Sequence, residues 1–192
     1  MRTLLRHFLW ALFLCGPALM AQDHVEVGAF ADYFNLSRTT PNINYVGVGG
    51  RLAFNVHPLV QIEAEMSYDF ERNFTTVFSD GITTQFARSH VRPLHGLFGP
   101  KIQTNRGPFR AFGTFKVGFV NFSTSNDNVP NGFVGALGGV TSGNTRPAIY
   151  PGAGVEGFWG FFGMRAEVGD EVYFDNGARH NLRVTFGPAI RF

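Results

Sequence analysis

The chain has 192 residues, among them 24 Gly and 22 Phe, and only 16% of its residues are charged. This glycine content is well above the average of about 7% and disfavours a helical bundle. The 16 Lys and Arg and 14 Asp and Glu leave a net charge of +2 with no basic run, so no nucleic-acid partner is expected.

The first 21 residues are predicted to be a secretory signal peptide. Arg2 and Arg6 form a cationic start, and a short apolar stretch and small residues lead up to Ala21. The apolar stretch is shorter than the roughly 20 residues of a membrane-spanning helix. A lipoprotein signal at Cys15 is the alternative, but the residue before it is bulky. Cleavage after Ala21 removes two Arg and the only Cys, so the domain at 22–192 has 14 basic and 14 acidic residues and no disulfide.

Alternation of apolar and polar residues is the dominant pattern after the signal. From Val60 to Phe70 the apolar residues occupy one face, while Glu63, Glu65 and Asp69 lie on the other. Period two predicts a β-strand, and the segment lengths are close to the roughly 9 to 11 residues of a tilted membrane strand. The eight strands predicted in this way are 25–34, 46–56, 60–70, 94–103, 109–120, 149–157, 162–168 and 182–192.

Fourteen charged residues fall on the polar faces of these segments, and none falls on the apolar faces. Unpaired charges in an enclosed interior cost several kcal/mol, so equal numbers of both signs predict a closed lumen with cross-strand ion pairs. A soluble sandwich with the same residues facing water predicts the same alternation. The fourteen are Glu26, Asp32, Glu63, Glu65, Asp69, Glu156 and Glu167 among the acids, and Arg51, Lys101, Arg110, Lys116, Arg165, Arg183 and Arg191 among the bases.

Asp170 determines where the seventh strand is predicted to end. Continuing that strand beyond Val168 would place the carboxylate on the apolar face, so the strand is taken to stop at Val168. His95 lies among the charges of the fourth predicted strand and is a separate candidate for a functional residue in the interior. A lone interior histidine is typical of a hydrogen-bonded structural residue, so no catalytic residue is predicted from it.

The connections between the predicted strands alternate in length. Outer-membrane barrels combine short periplasmic turns with long external loops, whereas soluble barrels have less reason to do so. The polar long connections lack the ligand spacing of a calcium loop, so no metal or cofactor is predicted. The long connections are 35–45, 71–93, 121–148 and 169–181, and the short ones are 57–59, 104–108 and 158–161.

One five-residue pattern occurs twice. Phe98-Gly99-Pro100-Lys101-Ile102 is followed 88 residues later by Phe186-Gly187-Pro188-Ala189-Ile190. This spacing is about half of the domain, which suggests a four-strand unit present in two copies. Proline removes a hydrogen-bond donor from a sheet, so both prolines are expected close to a strand end at the periplasmic rim.

These features resemble the small eight-stranded outer-membrane barrels, the family of the transmembrane domain of outer membrane protein A, and especially the barrel-only outer membrane beta-barrel domain proteins. The resemblance covers Val25 to Phe192 and is most specific at the C-terminus, in Phe186, Ile190 and Phe192. It implies an all-β, eight-stranded antiparallel up-and-down transmembrane β-barrel in the bacterial outer membrane. It also implies two partners, outer-membrane lipid and the barrel-assembly machinery, which recognises such C-termini.

The favoured function is a structural or surface-interaction barrel. Eight strands enclose an interior that side chains just fill, and the inward Phe30 and Phe112 leave little room for a pore. Activity would then lie in the external loops, through an extracellular ligand.

Three further functions are compatible with the same chain. A narrow, porin-like channel would be gated by Arg51, Glu63, Glu65 and Lys101. A lipid-modifying enzyme would need a nucleophile and base, but the adjacent Ser89 and His90 point to opposite faces of an extended segment. A soluble lipid-binding barrel would invert the two faces.

Overall fold

The computed structural model describes residues 24–37, 42–79, 84–105, 107–127 and 144–192, so the predicted signal peptide lies outside the described residues. No helix in these ranges is long and apolar enough to cross a membrane. The strands are β1 (Val25–Leu36), β2 (Ile43–His57), β3 (Val60–Asp69), β4 (Arg72–Ser79), β5 (Thr84–Gln103), β6 (Phe109–Asp127), β7 (Asn144–Trp159), β8 (Phe162–Phe174) and β9 (Ala178–Arg191).

The strands form one closed antiparallel sheet. Each strand pairs with the next along the chain except that β3 pairs directly with β5, and β1 pairs with β9. The long strand β5 pairs first with the short strand β4 and then with β3, so β4 and β3 lie one after the other along the same side of β5. Eight strands therefore surround the axis, which confirms the predicted all-β, eight-stranded antiparallel up-and-down barrel.

The register around the barrel determines its width. Val27 on β1 is connected through paired residues on each neighbouring strand in turn to His180 on β9. The register of β9 with β1 places His180 beside Ser37, which lies ten residues after Val27. The Ser37 hydroxyl donates to the His180 carbonyl at this point. With eight strands, this stagger corresponds to a tilt of about 40° and a radius of roughly 8 Å. Inward side chains from opposite walls can therefore touch.

The outer face is a continuous apolar band. Its large apolar side chains are exposed on every one of the eight strands, with Phe54, Phe98 and Phe186 all more than half exposed. The outward series begins at Leu182 on β9 and ends at Phe192, the residue directly after this strand, and ten steps at this tilt rise about 25 Å. This height matches the apolar band of outer-membrane barrels, which is about 25 Å.

Polar pairs border the band at the end away from the chain termini, which we call the loop end. Asn35 donates to Asn44 at 2.5 Å between Nδ2 and Oδ1, and Asn121 donates to Thr145 at 2.8 Å between Nδ2 and Oγ1. The opposite end, which we call the turn end, instead carries Trp159, exposed at 60%. The two edges of the band are thus chemically different.

The strands extend further at the loop end than the alternation predicted. The predicted loop 71–93 contains β4 and the beginning of β5, while the predicted loop 121–148 retains only residues 128–143, which lie outside the described residues. Pairing between strands continues there, from Arg72–Val91 to Ser79–Thr84 between β4 and β5 and out to Arg88–Asp127 between β5 and β6, where the period-two pattern of the sequence has disappeared. Residues 38–41, 80–83 and 106 are also outside the described residues.

The prediction that β8 ends at Val168 is wrong. This strand continues to Phe174, and the three residues Asp175 to Gly177 connect it to β9. Asn176 and Gly177 both have positive φ, and a left-handed residue is common in a three-residue hairpin loop. Asp170 does face outward, but His180 Nδ1 lies 2.6 Å from its Oδ2. The contact with His180, at the loop end of the band, therefore makes an outward carboxylate at Asp170 acceptable, although the sequence pattern predicted none on that face.

The repeated pattern occupies equivalent places in β5 and β9. Pro100 and Pro188 each lie three residues before the end of their strand. At each site the preceding glycine touches a neighbouring strand, since an added Cβ would lie 2.1 Å from the Phe115 carbonyl at Gly99 and 2.0 Å from the Ala29 carbonyl at Gly187. The pattern therefore permits a close backbone approach beside a missing proline N–H.

We expect Gly187→Ala to impair closure of β9 on β1, because the added methyl overlaps a backbone carbonyl of β1. Gly113→Ala is the matched control, since nothing lies within 4 Å of a Cβ there. The measurement is the fraction of heat-modifiable, folded protein after refolding in detergent. Equal yields for the two variants would contradict the close-approach interpretation.

Candidate functional site: the charged lumen

Three carboxylates converge on one ammonium group in the middle of the lumen. Lys116 Nζ lies 2.7 Å from Glu65 Oε2, 2.9 Å from Glu167 Oε1 and 3.3 Å from Glu63 Oε2. All four side chains are buried. Three carboxylates this close have the composition of a cation site, but here the lysine supplies the positive charge between them. We call these four residues the central cluster.

Two arginines complete the neutralisation of the central cluster. Arg51 Nε lies 3.0 Å from Glu65 Oε2, and Arg51 Nη2 lies 3.3 Å from Glu167 Oε2. Arg165 contacts both carboxylate oxygens of Glu63 and donates from Nη2 to Glu167 Oε2 at 2.5 Å. Buried ion pairs require this many hydrogen bonds, because desolvation otherwise outweighs their attraction.

Arg183 links the central cluster to the upper lumen. Its Nη1 lies 3.0 Å from Glu65 Oε1 and 3.2 Å from Glu171 Oε2, while its Nη2 donates to Asp32 Oδ2 at 2.7 Å and to Ser67 Oγ at 2.9 Å. The guanidinium is completely buried. One side chain of β9 thereby connects β1, β3 and β8 across the axis.

A second group of charges fills the turn end. Lys101 Nζ lies 2.8 Å from Glu156 Oε2, 3.4 Å from Glu63 Oε1 and 3.5 Å from Glu26 Oε2. Arg110 Nε lies 3.2 Å from Glu156 Oε1. These contacts run between walls of the barrel as well as between neighbouring strands, so the ion pairs form a three-dimensional web.

Aromatic rings provide the remaining surface for these cations. Four inward rings each carry one or two Lys or Arg groups, and an electron-rich ring face attracts a cation without bringing another acid into the lumen. The pairs, with the cation 4.0 to 5.5 Å from the ring centroid, are Arg51 on Phe30, Lys101 and Arg165 on Phe112, Lys116 and Arg183 on Tyr150, and Arg110 and Arg191 on Phe158.

His95 bridges two carboxylates above the central cluster. Its Nδ1 lies 2.6 Å from Glu171 Oε1 and its Nε2 lies 3.3 Å from Asp69 Oδ2, and all three side chains are completely buried. Ionised carboxylates only accept hydrogen bonds, so both ring nitrogens must donate, and only the imidazolium form does this. The imidazolium therefore supplies the positive charge between Asp69 and Glu171.

An apolar cluster closes the lumen at the loop end. It comprises Phe34, Leu36, Tyr45, Val91, Leu97, Val120, Phe122, Ala148, Tyr150 and Tyr173, with Ile43 packed against it. The edge of Phe34 also packs on the His95 ring, with centroids 4.7 Å apart. Every member of the cluster is buried, so the charges below it are separated from the loop end by apolar and aromatic side chains.

The structure places all fourteen predicted charged residues on the inner face. Twelve take part in Lys or Arg contacts with carboxylates, while Asp69 pairs with His95. Arg191 donates to the Gly160 carbonyl at 3.3 Å and lies on the Phe158 ring. The sequence pattern missed Glu171, which the Asn176-Gly177 hairpin signal would have placed on a longer β8.

Comparison with solved structures identifies the architecture. The chain is similar to Neisserial surface protein A, with a TM-score of 0.56, 8% identity, and coverage of 88% of this chain and 97% of that one. It is similar to Ail of Yersinia pestis, solved with the heparin analogue sucrose octasulfate, with a TM-score of 0.54, 13% identity and coverage of 88% and 97%. The fold is that of the small eight-stranded outer-membrane barrels.

A third similar structure is the N-terminal β-barrel domain of Pseudomonas aeruginosa OprF, with a TM-score of 0.51, 14% identity, and coverage of 89% of this chain and 98% of that one. No protein-family model matches the chain, and no curated protein matches it either. At these identities the likeness concerns the path of the backbone.

Removing the central ammonium should strongly destabilise the barrel. Lys116→Met leaves three buried carboxylates facing one another, and we expect it to lower the free energy of unfolding by about 3–5 kcal/mol. Arg92→Met is the control, because it removes only exposed contacts, an ion pair with Glu71 and a hydrogen bond to Tyr68, and should cost about 1 kcal/mol. Denaturant titration in detergent micelles measures both, and equal losses would show that the central cluster contributes no more than a surface pair.

The charge of His95 can be tested by compensation. We expect His95→Gln to destabilise the barrel by about 3–5 kcal/mol, because two carboxylates lose their shared cation. Adding Glu171→Gln removes the excess negative charge and should recover a substantial part of that loss in the same titration. If the two losses instead add, the imidazolium does not neutralise this pair.

Proposed function

We propose that the chain is an integral protein of the bacterial outer membrane whose barrel is a filled, non-conducting scaffold for external loops. The observation that carries the proposal is the arrangement of the two faces: an apolar outer surface about 25 Å high surrounds an interior whose charged side chains contact opposite charges and aromatic rings. Soluble monomers rarely expose contiguous apolar patches of more than a few hundred Å². Outer-membrane lipid is therefore the proposed partner of this surface.

The packing of the lumen supports a scaffold in preference to a pore. The residues considered as a gate, Arg51, Glu63, Glu65 and Lys101, are all buried and engaged in the web of ion pairs. An ion passing between them would have to break several charge-assisted hydrogen bonds at once. It would then meet the apolar cluster at the loop end.

A soluble barrel and an enzyme both find less support. A soluble lipid-binding barrel needs an apolar interior, whereas here the buried residues near the axis are mostly ionised or aromatic. For a lipid-modifying enzyme, the buried imidazole of His95 lies between two acids, with no serine or cysteine among its hydrogen-bond partners in the described part of the chain. We propose no enzymatic activity.

The C-terminal residues fit the proposed interaction with the barrel-assembly machinery. Phe186 and Ile190 lie on the outer face of β9, the strand that closes the barrel. The last residue, Phe192, accepts a hydrogen bond from the His24 amide at 2.6 Å and donates to the Val25 carbonyl at 2.9 Å. An apolar strand that completes closure is accessible until β1 joins it, and we propose that the machinery recognises it then.

The external loops are the proposed site of surface interactions. Ail is a protein of attachment and invasion by its name and was solved with a heparin analogue. By analogy, we propose an extracellular ligand for the loops of this chain, with most of the contacts in residues 38–41, 80–83 and 128–143, which lie outside the described residues.

Membrane insertion and loop direction can be tested together on intact cells. We expect the protein to stay in the outer-membrane fraction after a high-salt wash. A protease site inserted within 131–140 should be cleaved from outside, while the same site inserted at 105–107 should be protected. Purified protein in a planar bilayer should give no discrete conductance steps beyond those of a protein-free bilayer. Release by salt would overturn the membrane proposal, and regular steps would overturn the closed scaffold alone.

A further inference from the structure

An apolar groove interrupts the outer face of the barrel near the turn end. Its volume is about 480 Å³, and it lies across β6 to β9. Ala111 and Ala166 form the shallow part of its lining, and the larger side chains of Trp159 and Phe186 rise around them. The Phe109 ring lies over the buried Gly157. Phe109 and Trp159 meet edge to face, with ring centroids 5.7 Å apart.

The register explains why a depression forms at this place. Ala111 lies opposite Val155, which lies opposite Ala166, which in turn lies opposite Phe186. Small residues on two strands therefore share one row with a large aromatic residue. In the next row towards the turn end, Phe109 lies opposite Gly157, so a second ring borders the same depression.

The chemistry of the groove excludes most kinds of ligand. Three charged residues, Arg110, Glu156 and Arg165, are also among its lining residues, but their side chains are buried and make their ion pairs inside the lumen. The strands that line it, β6 to β9, each have two paired neighbours, so they offer no open edge on which a peptide could form another strand. What remains is an apolar ligand without hydrogen-bonding needs.

The volume of the groove and its position along the barrel axis restrict the ligand further. At roughly 30 Å³ per methylene group, close to the share of a water molecule in the liquid, the groove has room for no more than one acyl chain. Trp159 stands at the edge of the apolar band, where indole rings lie at the level of lipid head groups. On the proposed orientation of the barrel, this edge faces the periplasmic leaflet.

We propose that this groove binds one acyl chain of a glycerophospholipid of the periplasmic leaflet, with the head group beside Trp159. The inference rests on the proposed membrane location and goes beyond it. General contact with lipid needs only an apolar surface, whereas a groove of this shape retains one molecule in preference to its neighbours.

Trp159 is a built-in reporter for the site, because the only other tryptophan, Trp10, lies in the predicted signal peptide. The mature protein in detergent micelles is titrated with phosphatidylcholine that carries bromine near the head-group end of its sixteen- to eighteen-carbon chains. We expect saturable quenching of Trp159 fluorescence that is complete near one lipid per barrel. Phosphatidylcholine with eight-carbon acyl chains should compete with the brominated lipid at least about tenfold more weakly than phosphatidylcholine with long chains.

A matched pair of variants separates the groove from the rest of the outer face. Ala166→Phe places a ring in the groove and should weaken the titration by about tenfold or more. Ala64→Phe adds the same ring to an exposed outward position on β3, outside the groove, and should leave the titration unchanged. Heat-modifiable migration verifies that each variant is folded, and Ala111→Phe replaces Ala166→Phe if the latter does not fold.

The outcomes distinguish the groove from the membrane proposal. Quenching without saturation, or equal titrations for Ala166→Phe and Ala64→Phe in protein that remains in the membrane after a salt wash, would overturn the groove alone. Protein-concentration-dependent dimers that Ala166→Phe abolishes would assign the groove to a second copy and would also overturn the lipid site. Protein that needs no detergent to stay in solution would overturn the membrane location itself.

Discussion

The structure depends on neutralising buried charge within a space of fixed width. Eight strands staggered by ten residues give a radius of roughly 8 Å, which brings side chains from opposite walls within reach of each other. A charge that points inward consequently cannot be solvated by bulk water and must find its counterion on another strand. Lys116 at the centre and Arg183 above it satisfy this requirement by each contacting carboxylates from two or more strands.

This constraint also explains why the interior is divided into levels. Charges occupy the middle and the turn end, where opposite charges and aromatic faces alternate, and apolar and aromatic residues occupy the loop end. His95 lies at the boundary, with carboxylates on both ring nitrogens and the edge of Phe34 against its ring. An uncompensated acid at this boundary would have neither water nor a counterion, which accounts for the imidazolium between Asp69 and Glu171.

Sequence alone predicted the fold and the direction of the charged side chains. In the segment from Val60 to Asp69, the period of two places every acid on the same face of the strand. In a membrane barrel that face must point into the lumen, because the other face contacts lipid. It could not predict which cation meets which acid, because contacts such as Arg165 with Glu63 join strands far apart in the chain. Glu171 was missed because Asp170 was treated as incompatible with the apolar face, whereas a single nearby histidine makes it acceptable.

The closing seam between β1 and β9 has a topological consequence. Hydrogen bonds join Phe192 to His24 and Val25, so the two ends of the described barrel meet on one rim. A circularly permuted gene that joins these ends through a short linker would keep every strand beside its present neighbours. New chain ends opened at 58–59 would emerge on that same rim. The strands would then be synthesised in a different order while the folded barrel stayed the same, so the effect of that order on barrel closure could be studied by itself.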